Sequence, residues 1–433
     1  MLPRFGYFRR SLQTLPSLDP EKALRQEWRK LSQDSAGAAS PPELGSLHGK
    51  RVALGIGSRG IQNLVLLTRT LVALLREAGA EPFIVPAMGS HGGATAAGQL
   101  EVLRDLGITE ATAGCPLRAT METVVLGHTA EGLPVHLDTF AADADGIMIL
   151  NRIKPHTSFT GELESGLHKM LAIGLGKEKA ASLLHAGGSR SLREDMPKVA
   201  RVLLEKSRFL AGFGIVEDAA QNLVALRGLG KRGMEAGEKE LLTLARSLMP
   251  SLPLPEWDVL VVDEMGKDIS GTGMDTHVIG RLRLRGEPEP VTPRIGALAV
   301  LRLTAASHGN ALGIGLADFT TAEMLGALDF EKTRRNVLTT GNIERGRIPI
   351  VCADAAEAVR EALHFALRSP EKPDARGPQD AGILRIRNTL RLQEFFVSEG
   401  RCEAVQAVPG IGKMGGLCDL NFIPEDWDAP PNL

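Results

Sequence analysis

Residues 51–60 read RVALGIGSRG, and this stretch decides the fold predicted for the first half of the chain. The five residues after Arg51 are apolar or small, as in a strand that is buried on both faces of a sheet. An amphipathic helical pattern over 61–78 follows and ends at Gly79, and a second apolar strand is predicted at Pro82–Ala87. A strand, a helix and another strand in this order predict parallel pairing.

The same alternation of strands and helices continues along most of the chain. Further strands are predicted near 122–127, 134–138, 146–151, 258–264, 296–303 and 348–353, with a strand pair within 210–227. Further helices are predicted near 95–106, 177–186, 191–206, 233–249 and 355–367. This order predicts an α/β fold with mostly parallel sheets.

Three prolines within a few residues, Pro250, Pro253 and Pro255, indicate a domain boundary. We therefore predict two α/β domains, at 47–255 and 256–433, with an active-site cleft between them. Residues 1–46 are interpreted as an N-terminal helical arm and a linker, because the stretch before the first strand is rich in Ser, Ala, Gly and Pro.

The composition argues against several classes of protein. Of 433 residues, 43% are hydrophobic and 24% are charged, which is typical of a globular protein. The 50 basic and 52 acidic residues give a net charge of −2, so no general positive field attracts nucleic acid or an anionic membrane. Apolar runs stay shorter than the ~20 residues that span a bilayer. The four cysteines are scattered and have no metal-binding spacing. We expect a cytoplasmic enzyme without nucleic-acid or membrane partners.

Loops that follow parallel strands are where such folds bind ligands. The first of them, Gly55–Gly60, matches the GxGxxG pattern of dinucleotide-binding loops. Arg59 could pair with a bound anion there, and an exposed arginine beside a tight turn is the alternative. An NAD site also needs an acidic residue at the end of the second strand, but that strand ends in FIVPAMG at 83–89.

The second loop reads GSHGGAT over 89–95 and places His91 between glycines. Glycines let a ligand approach the backbone closely, and imidazole transfers protons near neutral pH. Thr95 is suited to cap the helix that follows. A histidine in an ordinary surface loop is the alternative interpretation of His91.

The segment from 151 to 188 is the richest in reactive side chains. It reads NRIKPHTSFTG at 151–161 and SGLHKM at 165–170, and it then reaches His185 near the end of a helix. A histidine in the last helical turn is also favoured by the helix dipole, and Lys169 and Lys177 suit a solvated surface equally well. The density of such residues predicts that the segment as a whole is functional.

The second domain presents polar, glycine-rich loops after its own strands. GKDISGTGMD at 266–275 contains Lys267, and SHGN follows at 307–310. Because both domains present such loops, we predict that the site lies in the cleft between them.

Five segments together resemble the nickel-dependent lactate racemase family: SRG at 58–60, GSHGGAT at 89–95, NRIKPHTSF at 151–159, SGLHKMLAIGLGK at 165–177 and LLHAGG at 183–188. The members of this family are racemases and epimerases of 2-hydroxy acids that use a nickel-pincer nucleotide. The resemblance covers most of the chain and is strongest from Gly57 to Gly188. It implies that 47–255 is the cofactor-binding domain and that separate enzymes make the cofactor.

The resemblance also implies roles for individual residues. His185 is the expected nickel ligand, and Lys169 is the lysine expected to tether the cofactor. His91 and His156 are the expected acid/base pair. The other expected contacts are Arg59, Lys154 and Lys267 for the substrate, and Gly57, Ser58, Ser165 and Gly166 for the cofactor.

The chemistry of the family explains why these residue types are needed. The hydrogen at C2 of the hydroxy acid moves to the cofactor as a hydride while a histidine removes the hydroxyl proton. The planar 2-keto acid then takes the hydrogen back on either face. Two histidines are required because each enantiomer needs a base beside its hydroxyl group, and a cation must hold the carboxylate.

The chain departs from the family pattern at three places. Ile56 and Gly60 stand where close members have an aspartate and a proline, and the segment from His156 to Lys169 is longer. The usual second-domain glutamine–lysine pair has only the Lys267-Asp268 loop as its counterpart. We therefore expect a substrate other than lactate, either another 2-hydroxy acid or a sugar acid. The alternatives are an NAD-dependent oxidoreductase that uses Gly55, Gly57 and Gly60, and a non-catalytic protein that binds the pincer cofactor.

Overall fold

The structure is a computed structural model that describes residues 2–11, 15–34, 44, 47–58, 60–157, 159–368 and 377–427. The chain forms two compact units. One is Thr14–Met249, and the other combines Met1–Gln13 with Pro250–Leu433.

The strands of the two units are numbered here in chain order. They are β1 Phe5–Arg10, β2 Arg51–Ile56, β3 Glu81–Pro86, β4 Thr123–His128, β5 Pro134–Asp138, β6 Gly146–Arg152, β7 Phe209–Glu217, β8 Leu223–Gly230, β9 Glu256–Met265, β10 Arg294–Leu303, β11 Phe319–Thr321, β12 Ile350–Cys352, β13 Ile383–Ile386, β14 Glu394–Ser398 and β15 Ile411–Cys418.

The α-helices are numbered in the same way. They are α1 Pro20–Asp34, α2 Leu64–Glu77, α3 Ala96–Asp105, α4 Glu110–Ala113, α5 Thr139–Asp143, α6 Leu167–Lys169, α7 Lys177–Ala186, α8 Gly188–Lys206, α9 Met234–Ser247, α10 Thr276–Ile279, α11 Ala322–Gly326, α12 Phe330–Thr340, α13 Ala355–Leu367 and α14 Cys402–Gln406. A π-helical turn, Met170–Gly174, joins α6 to the turn before α7. Within the described ranges, every helix is too short or too polar to cross a lipid bilayer.

The unit Thr14–Met249 is built on a five-stranded sheet in the order β3-β2-β6-β7-β8. The first four strands are parallel, and β8 is antiparallel to β7. Ile56 at the end of β2 lies beside Pro86 of β3 and Leu150 of β6. The loops that leave β2, β3 and β6 therefore start from one edge of the sheet.

Both faces of this sheet are covered by apolar side chains, as the strand RVALGI requires. On one face, Val52 and Leu54 lie in a buried cluster with Leu67 and Leu71 of α2. On the other face, Ala53 belongs to a second cluster with residues of α6, α7, α8 and α9. Each Å² of buried apolar surface contributes about 25 cal/mol to the free energy of folding. Because both faces are buried, this sheet forms the stable core of the unit.

The other unit has an eight-stranded sheet in the order β12-β11-β10-β9-β13-β14-β1-β15. The first five strands are parallel, and β14, β1 and β15 add antiparallel pairs. The predicted fold class is confirmed, since both units are α/β and parallel strands form the larger part of their sheets.

The prediction of an N-terminal helical arm is wrong for the first residues of the chain. Phe5–Arg10 is a strand that pairs with β14 and β15, and Phe5 and Phe8 are buried in the unit that begins at Pro250. Aromatic residues pack well on a pleated surface, but the partner strands lie more than 380 residues further along the chain. The helical part of the predicted arm is α1, Pro20–Asp34, and 35–43 lie outside the described residues.

Candidate functional site

The loops after β2 and β3 meet through Ser58 and His91. Ser58 Oγ and His91 Nδ1 share a hydrogen bond. Parallel pairing of the two strands brings these loops together, although the residues are far apart in the sequence. The hydroxyl group therefore orients the imidazole, whose Nε2 faces away from this contact.

Gly57 connects the first loop to the segment after β6. A Cβ atom at position 57 would lie 3.2 Å from Met170 Sδ and 3.4 Å from Asn151 Oδ1. Glycine thus allows the backbone after β2 to lie against the turn that carries Lys169, the neighbour of Met170. Gly57 and Ser58 were predicted as cofactor contacts, and the structure puts them beside Met170 and His91.

The His91 loop is held by hydrogen bonds from Gln99 of α3. The Gln99 side chain is buried and its Nε2 donates to the carbonyl oxygen of Gly89 at 2.8 Å and to that of His91 at 3.4 Å. Gly89 N in turn donates to Gly174 O at 3.1 Å. Thr95 caps α3, as predicted, by accepting a hydrogen bond from Gly98 N.

Lys177 is the buried centre of this support. Its ammonium group donates to Pro86 O at the end of β3 and to Gln99 Oε1 at 3.1 Å, and it lies 3.1 Å from Asp138 Oδ2. The side chains of Lys177 and Asp138 are 0% exposed, so the solvated-surface interpretation of Lys177 is wrong. Burial lowers the pKa of Lys177 and raises the pKa of Asp138, while their mutual attraction opposes both shifts.

The His156 loop is organised by one buried carboxylate. Glu164 is 1% exposed, and it accepts hydrogen bonds from the backbone N–H groups of His156 at 2.5 Å and Gly161 at 3.0 Å. The His156 ring lies against Phe159, with 4.6 Å between the ring centroids. The imidazole is thus supported by an aromatic neighbour and remains partly accessible.

The two arms of the segment from β6 to α6 are joined by backbone hydrogen bonds. Lys154 N donates to Ser165 O at 2.9 Å, and Ser165 N donates to Lys154 O at 3.3 Å. Asn151 Nδ2 donates to Gly166 O at 3.1 Å. These hydrogen bonds place Lys154, Ser165 and Gly166 together at the base of the His156 loop. The side chain of Lys154 is exposed there.

Lys169 and His185 are electrostatic neighbours. Desolvation, together with the positive charge of Lys169, lowers the pKa of His185 to about 4. At neutral pH the imidazole is therefore uncharged, which is the state that binds a metal ion. His185 as a residue keeps an exposed surface, although its imidazole is desolvated.

Two predicted substrate contacts are placed differently. Arg59 lies outside the described residues. Lys267 belongs to the unit that contains Pro250–Leu433, where its Nζ donates to Gly271 O at 2.7 Å and its backbone N donates to Ser307 Oγ at 2.8 Å.

Sequence reasoning gave no individual role to the residues that hold these loops, above all Gln99, Glu164 and Asn151, although the last two lie in the segment 151–188 that it predicted to be functional. The available signal was a polar residue among small and apolar neighbours, as in Gln99 near the start of α3. Its partners lie on other elements, so the pattern alone does not identify them.

The resemblance implies a nickel-pincer nucleotide that takes a single protein ligand, and His185 with Lys169 nearby is compatible with that expectation. Within the part of the chain that the structure describes, no three His, Cys, Asp or Glu side chains converge to bind a metal ion. His185 is uncharged at neutral pH, and Lys169 is near enough to lower its pKa. This combination suits one imidazole ligand beside a covalent attachment point.

Comparisons with known proteins find similarity at the level of structure only. A scan against protein-family models finds no match, and a search of curated proteins finds no significant match. Among solved structures, the lactate racemase apoprotein from Thermoanaerobacterium thermosaccharolyticum is 12% identical, with a TM-score of 0.49 over 90% of this chain and 99% of that one. A protein from Thermotoga maritima is 13% identical, with a TM-score of 0.48 over 86% of this chain and 98% of that one. At this identity and overlap, function has to be argued from the residues of the chain itself.

Replacing Lys177 with methionine should destabilise the protein strongly. We expect Lys177→Met to lower the free energy of unfolding by about 3–5 kcal/mol, because Asp138 is left as a buried charge without its partner. Asp138 already has a raised pKa, so it can be protonated in the folded variant, and the loss should grow as the pH rises towards neutrality. Urea unfolding at two pH values measures this. The control is Lys179→Met, an exposed position on the same helix, which should change the free energy by less than about 0.5 kcal/mol. Equal losses in the two variants would contradict the assignment.

The imidazole of His185 should remain uncharged well below neutral pH. An NMR titration of the histidine rings should show a pKa of about 4 for His185. Lys169→Met should raise this pKa, because the positive charge that disfavours the imidazolium ion is removed. Lys179→Met is the matched control and should leave it unchanged. A His185 that titrates near 6.5 in the parent protein would exclude this environment.

Proposed function

We propose that the chain is a racemase or epimerase of a 2-hydroxy acid that works with a nickel-pincer nucleotide. The observation that carries the proposal is that three loops with candidate site residues begin at one sheet edge. Parallel β2, β3 and β6 send out the loops with Ser58, His91 and His156 from the same edge. Lys169 follows in the same segment and acts electrostatically on His185.

In this proposal His91 and His156 exchange protons with the substrate hydroxyl group. Ser58 fixes the orientation of the His91 ring through a hydrogen bond with Nδ1. Glu164 and Phe159 fix the His156 loop and ring. The proposal assigns the two bases to separate loops, because each enantiomer needs a base beside its hydroxyl group.

His185 would bind the nickel and Lys169 would form the covalent link to the cofactor. When bound, the nickel-pincer nucleotide supplies the electron-accepting carbon to which the C2 hydrogen is transferred. Gly57 lies against Met170 and Gly166 lies against Glu238, so both glycines pack closely around the turn that carries Lys169. Lys154 is exposed at the base of the His156 loop and would attract the carboxylate of the substrate, and Arg59 and Lys267 are the further candidates for that role.

Two other functions remain as alternatives to be separated by experiment. An NAD-dependent oxidoreductase would use Gly55, Gly57 and Gly60, and calorimetry with NAD tests it. A non-catalytic protein would bind the pincer nucleotide without exchanging the C2 hydrogen of any hydroxy acid.

Metal and mass analysis of the loaded protein is the most direct test. The protein is co-produced with the enzymes that make the cofactor, and we expect stoichiometric nickel and a sulfur-containing adduct on the peptide that carries Lys169. Nickel should be lost in His185→Ala, while Lys169→Ala should lose the adduct. If neither nickel nor adduct is found, although a control racemase from the same host is loaded, the proposal is wrong.

The two proposed acid/base histidines should be essential for isomerisation. His91→Gln and His156→Gln should each lower kcat by roughly 10²-fold or more, measured by the conversion of one enantiomer of a panel of 2-hydroxy acids into the other. His128→Gln, an exposed position on β4, is the control and should retain activity. Normal turnover in both site variants would overturn their assigned roles.

Ser58 should affect the orientation of His91 rather than substrate binding. We expect Ser58→Ala to lower kcat with little change in KM, because the hydroxyl group that orients the imidazole is removed. Threonine keeps a hydroxyl group at this position. Ser58→Thr should therefore retain most of the activity. A change confined to KM would instead indicate that Ser58 contacts substrate.

A further inference from the structure

Helix α9 contacts the segment between His156 and Lys169 from Gly161 to His168. Arg246 pairs with Glu164 Oε1 at 2.6 Å and donates to Gly161 O. Two turns earlier, Lys239 pairs with Glu162 Oε2 at 2.7 Å. These contacts place ionic groups of one helix along the loop that carries both His156 and Lys169.

The deepest contact of α9 is made by Glu238, next to the proposed tethering lysine. Its Oε2 accepts a hydrogen bond from His168 Nδ1 at 2.6 Å and a second one from His168 N at 3.0 Å. The side chains of His168 and Glu238 are 0% and 1% exposed. One carboxylate oxygen therefore holds both the backbone and the ring of the residue that precedes Lys169.

Gly166 makes room for this carboxylate. A Cβ atom at position 166 would lie 1.9 Å from Glu238 Oε1, so any other residue would push Glu238 away. Among the described residues, Glu238 Oε1 and His168 Nε2 have no hydrogen-bond partner. Burying two such groups is costly, and stability alone would be served as well by apolar side chains of similar volume.

We propose that Glu238 is a positioning residue for Lys169. By holding residue 168 through its N–H group and its ring, it fixes the first turn of α6 and so the direction in which the Lys169 side chain leaves it. Lys169 is only partly buried, and the fixed turn of α6 sets the position from which its side chain begins. This inference rests on the proposed function in one respect, namely that Lys169 is the group that reacts with the cofactor.

The reactivity of Lys169 in the cofactor-free protein tests the inference without any activity assay. The full chain is produced in a host that lacks the cofactor enzymes and is treated briefly with N-succinimidyl acetate. Peptide mass spectrometry gives the acetylation rate of Lys169, and Lys179 and Lys198 serve as internal references. Thermal unfolding of each variant reports stability separately.

Three variants separate positioning from stability. His168→Leu combined with Glu238→Leu removes both polar side chains and fills their space. It also removes the acceptor of the backbone N–H of residue 168, so thermal unfolding checks that the fold is retained. Gly166→Ala displaces the carboxylate without removing it. Glu238→Gln keeps an oxygen that can accept the same hydrogen bonds, and Glu240→Leu is the matched exposed control on α9, where Glu240 is 65% exposed.

We expect the acetylation rate of Lys169 to change severalfold in the double variant and in Gly166→Ala, with unchanged reference lysines. Glu238→Gln and Glu240→Leu should label as the parent protein does. On co-production with the cofactor enzymes, adduct formation at Lys169 should fall roughly tenfold or more in the first two variants, since small displacements of a reacting group have large effects.

A folded double variant that labels Lys169 at the parental rate would overturn the inference. If the double variant does not fold, Gly166→Ala decides, and a parental rate there overturns it equally. If the parent protein takes up neither nickel nor adduct, the proposed function fails, while the labelling rates still decide whether Glu238 positions Lys169.

Discussion

The parallel pairing of β3, β2 and β6 is the constraint on which the candidate site depends. Parallel strands have their carboxyl ends at one edge, so the three loops with His91, Ser58 and His156 must begin there. The sheet is rigid because both of its faces are buried, with Leu54 on one side and Ala53 on the other. A single antiparallel strand in place of β2 would send the Ser58 loop to the opposite edge.

Buried ionisable side chains then fix the conformations of these loops. Lys177 donates hydrogen bonds to the end of β3 and to Gln99, which contacts the His91 loop. Glu164 accepts a hydrogen bond from the His156 loop, and Glu238 accepts one from the residue before Lys169. A buried charge costs several kcal/mol unless it is paired or hydrogen-bonded. Each loop is therefore confined to the arrangement that satisfies its charge. The glycines that make the loops accessible would otherwise leave them flexible.

Local patterns were sufficient for most of the regular structure. The strand Arg51–Ile56 and the helices Lys177–Ala186 and Ala355–Leu367 coincide with their predicted bounds, because apolar periodicity and glycine stops act within a few residues. The N-terminal strand was missed because its partners, β14 and β15, are almost a chain length away. The sequence left undecided whether Lys177 is exposed or buried for the same reason, because its partners lie on β3, α3 and β5.

The amino-acid sequence by itself determined the α/β class, the positions of most strands and helices, and the loops in which reactive side chains follow strands. These features depend on period, burial and turn residues that act locally. The tertiary structure decided which of those side chains meet. It brought Ser58 to His91, Lys169 to His185, and α9 against the segment between His156 and Lys169. Such contacts arise from sheet order and from the pairing of buried charges, and neither is encoded within a single stretch of the chain.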